Sequence, residues 1–135
     1  MKFVNSLLIC CFVFFMFGCD NQAYAGSVIK ADSVYRVHDG DTFTINILGC
    51  PDVLCQRIPV RINGIDAPEI RGKCSLESLG AQAAKKYLSG QVMNAKDIAL
   101  HDPTRDKYFR ISAYVFVDGV NVGDEMVKQG LARTY

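Results

Sequence analysis

A small, mainly β domain with two helices, its five strands closed into a barrel, is the fold class that this sequence predicts, from three observations. Short runs alternate apolar and polar residues, turn residues separate those runs, and two stretches carry apolar residues at helical spacing instead. The 135 residues allow about one domain. Fifteen basic against fourteen acidic side chains leave a net charge of +1, which excludes a binder driven by bulk positive charge. Any recognition of an anion must therefore be local.

Val28 to Val37, Phe43 to Leu48 and Ile58 to Ile62 read as three strands, the last with Ile58, Val60 and Ile62 on one face. Ser75 to Leu88 reads as a helix, because Leu76, Leu79, Ala83 and Tyr87 recur every three or four residues and Gly90 offers a stop. Its apolar face is expected against the sheet. Ile98 to His101 and Ile111 to Val117 supply two more strands, and Asp124 to Gln129 a short helix ended by Gly130. Five strands with a helix between the third and fourth is the order of an OB-fold, a partly open barrel whose face takes nucleic acids and sugars.

The first 25 residues do not fit this domain. Phe3 to Phe17 is an apolar run broken only by Asn5 and Ser6, preceded by Lys2 and followed by the A-x-A sequence Ala23-Tyr24-Ala25. At about 15 residues it falls short of a bilayer span, so residues 1–25 read as a signal peptide for secretion or export to the periplasm, with residues 26–135 as the domain. Gly18-Cys19 offers the alternative of a lipid anchor on Cys19. With the leader removed, Cys50, Cys55 and Cys74 remain in a compartment that permits disulfides. No second Cys or His pair accompanies Cys50 and Cys55, so a disulfide is the better reading than zinc, and which two pair is open.

Three polar clusters stand apart from the alternating pattern. His38-Asp39-Gly40-Asp41-Thr42 sets two carboxylates about a glycine between the first two strands. Arg61-Ile62-Asn63-Gly64-Ile65-Asp66-Ala67-Pro68-Glu69 follows the third strand, and Arg105-Asp106-Lys107-Tyr108-Phe109-Arg110 leads into the fifth. Taken singly, each is explained as a turn or a solvated loop. Taken together and in order, Asp39-Gly40-Asp41-Thr42, Arg61 with Asp66-Ala67-Pro68-Glu69, and Asp106-Lys107-Tyr108-x-Arg110 resemble the three motifs of the staphylococcal nuclease (thermonuclease) family. Val127-Lys128-Gln129-Gly130-Leu131-Ala132 is similar to that family's late helix, so the resemblance covers about residues 30 to 134.

The resemblance implies a calcium-dependent, largely sequence-nonspecific endonuclease that cleaves DNA and RNA and leaves 3′-phosphate ends. It assigns Asp41, Asp66 and the Ala67 carbonyl to Ca2+, with Asp39 in its outer sphere or acting through water; hard oxygen donors suit that ion. Glu69 would activate the attacking water, and Arg61 and Arg110 would grip the scissile phosphate with planar guanidinium forks. Lys107 and Tyr108 would bind a neighbouring phosphate or stack on a base. Single strands should be favoured, no protein partner is implied, and a monomer is expected.

Departures from the family pattern are also legible. Phe109 stands where a glycine is usual before the second arginine, and Leu48 to Arg57 lengthens the loop between the second and third strands. The chain stops at Tyr135, whereas relatives continue into a C-terminal helix, so the domain reads as truncated and its usual third helix as absent. A catalytically silent OB-fold module that binds nucleic acid or protein is the alternative, and the retention of Asp41, Asp66, Glu69, Arg61 and Arg110 argues against it. His38 and His101 read as loop and strand-end residues rather than as a general base.

Overall fold

The computed structural model describes residues 26–70 and 75–135. The expected leader, with Cys19, and Cys74 lie outside the described residues. The chain forms β1 (Val28–Lys30), β2 (Ser33–Val37), β3 (Thr42–Asn46), α1 (Asp52–Cys55), β4 (Ile58–Ile62), β5 (Ile65–Asp66) and α2 (Ser75–Met93). It continues with β6 (Ile98–Arg105), β7 (Ile111–Val117), β8 (Val120–Asn121), α3 (Val122–Lys128) and β9 (Arg133–Thr134).

The main sheet runs β1-β6-β7-β4-β3-β2, with β8 also paired to β7. Its two outer strands are consecutive in sequence. The expected single strand from Val28 to Val37 is interrupted at Ala31-Asp32: the first half pairs with β6 and the second with β3. The backbone N–H of Ala31 donates to Ile98 and that of Asp32 to Asn46, so one bent segment bridges both edges and the sheet curls on itself. This mainly β, half-barrel arrangement is consistent with an OB-fold, but it has more and shorter strands than the five expected, and three helices rather than two.

Alternation explains the core. In β7, Ile111, Ala113, Val115 and Val117 are buried while Ser112, Tyr114 and Phe116 point outward. Phe43 and Ile45 from β3, Val60 and Ile62 from β4, Leu100 from β6 and Met126 from α3 fill the same interior. β6 extends beyond the expected His101 because a register shift between His101 and Thr104, with Asp102 at φ 50°, carries Pro103 through the ladder. Asn121 caps α3 by accepting N–H bonds from Gly123 and Asp124, which starts that helix two residues before the expected Asp124.

The expected inner face of α2 is corrected. Leu76 and Leu79 are 78% and 62% exposed, and the buried residues are Ala81, Ala84, Leu88 and Val92. Two alanines let the helix backbone approach the sheet closely, a role that hydrophobicity alone does not reveal. Gly90 does not end the helix, which continues to Met93.

Of the pairings left open, the structure joins Cys50 to Cys55, with Cα atoms 6.0 Å apart, across the loop that contains α1. The bridge closes a loop of only about six residues, so replacing both cysteines with serine is expected to cost about 2 kcal/mol. A lower urea midpoint at unchanged slope would register that loss.

Candidate active site

The three polar clusters converge on one cleft of about 810 Å³. The first is placed by the turn between β2 and β3. Gly40 is buried there, and a Cβ on it would lie 2.6 Å from the Ala84 Cβ and 2.7 Å from the Ala67 Cβ. Close packing, rather than an unusual backbone angle, therefore requires glycine: the turn presses against α2, and this seats Asp41 under the cleft floor.

Asp41 is 4% exposed, and both of its oxygens are occupied. Oδ1 accepts from the Thr42 hydroxyl at 2.9 Å and pairs with Arg61 Nη1; Oδ2 accepts from the Ala67 backbone N–H at 3.0 Å. Antiparallel register sets Arg61 opposite Thr42, which brings its guanidinium over the turn. Its Nη2 donates to Asp66 Oδ1 at 3.3 Å. One guanidinium thus stands between two carboxylates that are 25 residues apart in sequence, already neutralising them in part.

Asp39 lies beside this pair, its Oδ1 accepting from the Asp41 N–H at 3.3 Å. Burial, together with the neighbouring Asp41 carboxylate, holds its carboxyl above the usual range. Asp66 is displaced the other way. Hydrogen bonds from Arg133, resisted by burial and helped by Arg61, hold it below the usual range. Glu69 is exposed on the cleft wall, and Arg110 also lines the cleft, with its side chain 29% exposed.

The turn before β7 is organised by Asp106. Its Oδ1 accepts N–H bonds from Tyr108 at 2.8 Å and Arg110 at 3.0 Å, while its Oδ2 accepts from Arg110 Nε at 2.8 Å. Burial opposes ionisation there, but the bonds from Arg110 and Tyr108 prevail and keep the carboxyl low. This fixes the Arg110 side chain in the cleft. Phe109, 76% exposed, adopts φ 61°, the left-handed conformation that glycine takes without strain. Phe109→Gly is expected to raise stability by about 0.5–1 kcal/mol, because the relieved strain exceeds the entropy that glycine adds to the unfolded chain. Chemical denaturation of the two proteins would measure the difference.

The structure does not bring every expected residue into the cleft. Lys107 and Tyr108 lie outside its wall, stacked together with the Lys107 ammonium 5.0 Å and the Arg110 guanidinium 5.2 Å from the Tyr108 ring. The Ala67 N–H is committed to Asp41. Two residues were not expected. Arg133 donates through Nε and Nη2 to Asp66 Oδ2 at 3.1 and 2.7 Å, and Tyr135 lines the cleft, its N–H bonded to the Gly64 carbonyl at 3.0 Å. Pairing of β9 with β5 places both, and no local pattern encodes a contact across 67 residues. His38 is half-buried rather than solvated: its Nε2 is 2.7 Å from the Thr44 hydroxyl and its Nδ1 3.3 Å from Arg36. Burial, then Arg36, lower its pKa, so the ring is neutral at neutral pH.

A curled β-sheet thus brings clustered carboxylates and two arginines together in one cleft. Residues 59–135 match the family described as staphylococcal nuclease homologue, and the chain belongs to that family. Among its relatives, an uncharacterized endonuclease of Haemophilus influenzae is 37% identical over 102 residues, covering 76% of this chain and 51% of the relative. The SPbeta prophage-derived endonuclease YokF of Bacillus subtilis is 35% identical over 102 residues, covering 73% of this chain and 32% of the relative. Endonuclease YncB of the same organism is 34% identical, covering 73% and 44%. The chain therefore spans about a third to a half of the length of these relatives.

Proposed function

We propose that the protein is a calcium-dependent, largely sequence-nonspecific nuclease that hydrolyses phosphodiester bonds of DNA and RNA to leave 3′-phosphate ends. The convergence of Asp41, Asp66 and Arg61 in a cleft that Glu69 and Arg110 also line carries this reading. Family membership and the endonuclease names of its relatives support it. We further propose export, on the strength of the leader sequence.

The donor chemistry fits a hard divalent cation. Asp41 and Asp66 already share one cationic group, and carboxylates with carbonyl and water oxygens are what calcium takes. Among the described residues, no three His, Cys, Asp or Glu side chains form a ready-made cage, so Asp41 and Asp66 would be completed by the Ala67 carbonyl and by water, with Asp39 acting through water. The bound ion would supply charge neutralisation at the phosphate.

Glu69, at the wall, takes the proton of the attacking water. Arg61, released from the two carboxylates, and Arg110, held by Asp106, place N–H forks on the phosphate oxygens, where they strengthen as charge grows on the phosphorus centre. Water adds to phosphorus, the bond to the 5′ oxygen breaks, that oxygen takes a proton from solvent and leaves as a hydroxyl, and Glu69 returns its proton to solvent. Contacts to phosphate rather than base edges make cleavage tolerant of sequence and favour flexible single strands. Digestion of single-stranded DNA with calcium, followed by end-group analysis, tests this. The products should carry 3′-phosphates, and 5′-phosphate products or no cleavage would refute the proposal.

A further inference from the structure

We propose that the outer face of β2, β3 and β4 is a binding track for the single-stranded nucleic acid flanking the scissile phosphate, with Arg36 and Arg57 on phosphates and Tyr35 on a base. The inference rests on the nuclease reading and extends it to residues that no catalytic role uses.

Strand register makes the track continuous with the cleft. Arg61 opposes Thr42 at the site; one step along, Thr44 opposes both Arg36 and Pro59; beyond it, Asn46 opposes Ser33. These rungs share one face of the sheet, and each step of two residues advances about 6.6 Å. Phe43 and Ile45 occupy the other face, within the core; on the track side Thr42 and Thr44 are also covered, Thr44 by His38, so the accessible surface is that of Tyr35, Arg36 and Arg57. A register shift between Val34 and Arg36 is what turns this strip outward. Val34 stays with Ile45 on the core side, Arg36 moves to the outer face, and Tyr35 at the bulge is left 50% exposed.

The far end is built with the same specificity. Arg57 takes φ 56°, a strained conformation, and its N–H donates to the Asn46 side-chain oxygen at 2.9 Å. Held in this way, its guanidinium lies 4.8 Å from the centre of the Tyr35 ring. A guanidinium stacked on one ring face leaves two flat surfaces, the outer sides of Arg57 and of Tyr35, on which a base can stack without regard to its identity.

The charges are also available. Among the described residues, neither Arg36 nor Arg57 has a carboxylate within ion-pair distance, a state they share with several exposed lysines but not with Arg61 or Arg110 in the cleft. Arg36 instead contacts the His38 ring, which sits on Thr44 between the cleft and the track. Lys85 on α2 adds positive potential to the same neighbourhood, and Asp39 is the opposing charge at the cleft end. Arg36 and Arg57 thus set two cations without acidic partners along the path that a strand emerging from the cleft past Arg61 would follow.

The test compares kcat/KM for a deoxythymidine dinucleotide and an octanucleotide, with wild-type protein, Arg36→Ala/Arg57→Ala and Arg36→Lys/Arg57→Lys. Wild type is expected to favour the octanucleotide by on the order of tenfold or more, the effect of about one base stack. The alanine pair should lose that preference, and its log-log salt slope for the octanucleotide should fall by about 1.4, as expected for two fewer phosphate contacts to a single strand. The lysine pair should keep most of the slope. An undiminished length preference in the alanine pair, or an equal loss on both substrates, would overturn the track. Failure of wild type to cleave either substrate would instead sink the nuclease reading beneath it.

Discussion

Under the proposed nuclease mechanism, Glu69→Gln is expected to lower kcat on single-stranded DNA by about 10²–10⁴-fold, the usual share of a positioned general base. The substitution removes only proton-accepting capacity, because glutamine keeps the size and polarity of an exposed side chain on the cleft wall. Thermal stability and binding of calcium with a nucleotide should therefore be retained. Steady-state kinetics together with calorimetric binding separate the possibilities. A protein that only binds nucleic acid would have no turnover to lose, while a variant that lost binding and turnover together would place Glu69 in the ligand set rather than in proton transfer.

Arg61→Gln should reduce turnover by about 10²–10³-fold through the lost transition-state donor, and it should also destabilise the fold. The second effect follows from Asp41. That carboxylate is buried, and removing its guanidinium partner leaves a charge that only the Thr42 hydroxyl and Ala67 N–H still satisfy. Breaking such a pair costs about 3 kcal/mol. Saturating calcium should recover part of this loss if the ion occupies the space between Asp41 and Asp66. Arg61→Lys restores a charge but not the two-pronged geometry that reaches both carboxylates, so it should recover stability better than turnover. Denaturation midpoints with and without calcium would reveal the recovery, and equal loss in both conditions would argue against a cation at Asp41.

Much of the site was legible in sequence because its chemistry is local. Asp39-Gly40-Asp41-Thr42 and Asp66-Ala67-Pro68-Glu69 each set two carboxylates within four residues, and the strands flanking them announce themselves by alternation. What stayed hidden depends on contacts between distant segments. Arg133 reaches Asp66 only because β9 pairs with β5, and Tyr135 reaches the cleft beside the same pairing. Gly40 was visible as a turn residue, yet its real constraint is the Ala84 and Ala67 methyl groups packed against it.

The misread elements have separate physical causes. Hydropathy favoured Leu76 and Leu79 for the inner face of α2, but the turn bearing Asp41 needs a helix that comes close, and alanines at 81 and 84 permit it. Asp102-Pro103 looked like the end of a strand, and a bulge instead absorbs it. Phe109 was visible as a departure in sequence, and the structure explains why glycine is the easier residue there: the turn that aims Arg110 needs a positive φ.

The proposed reaction requires a cation held by Asp41 and Asp66 while Arg61 turns to phosphate. The initial rate of single-strand cleavage, measured against free calcium for wild type and Asp66→Asn, tests that most directly. Wild-type rate should rise from zero under chelation to saturation, and the Asp66→Asn midpoint should move to higher calcium by on the order of tenfold or more, as expected for one fewer ligand charge. A rate indifferent to chelation, or the same calcium midpoint in both proteins, would contradict it.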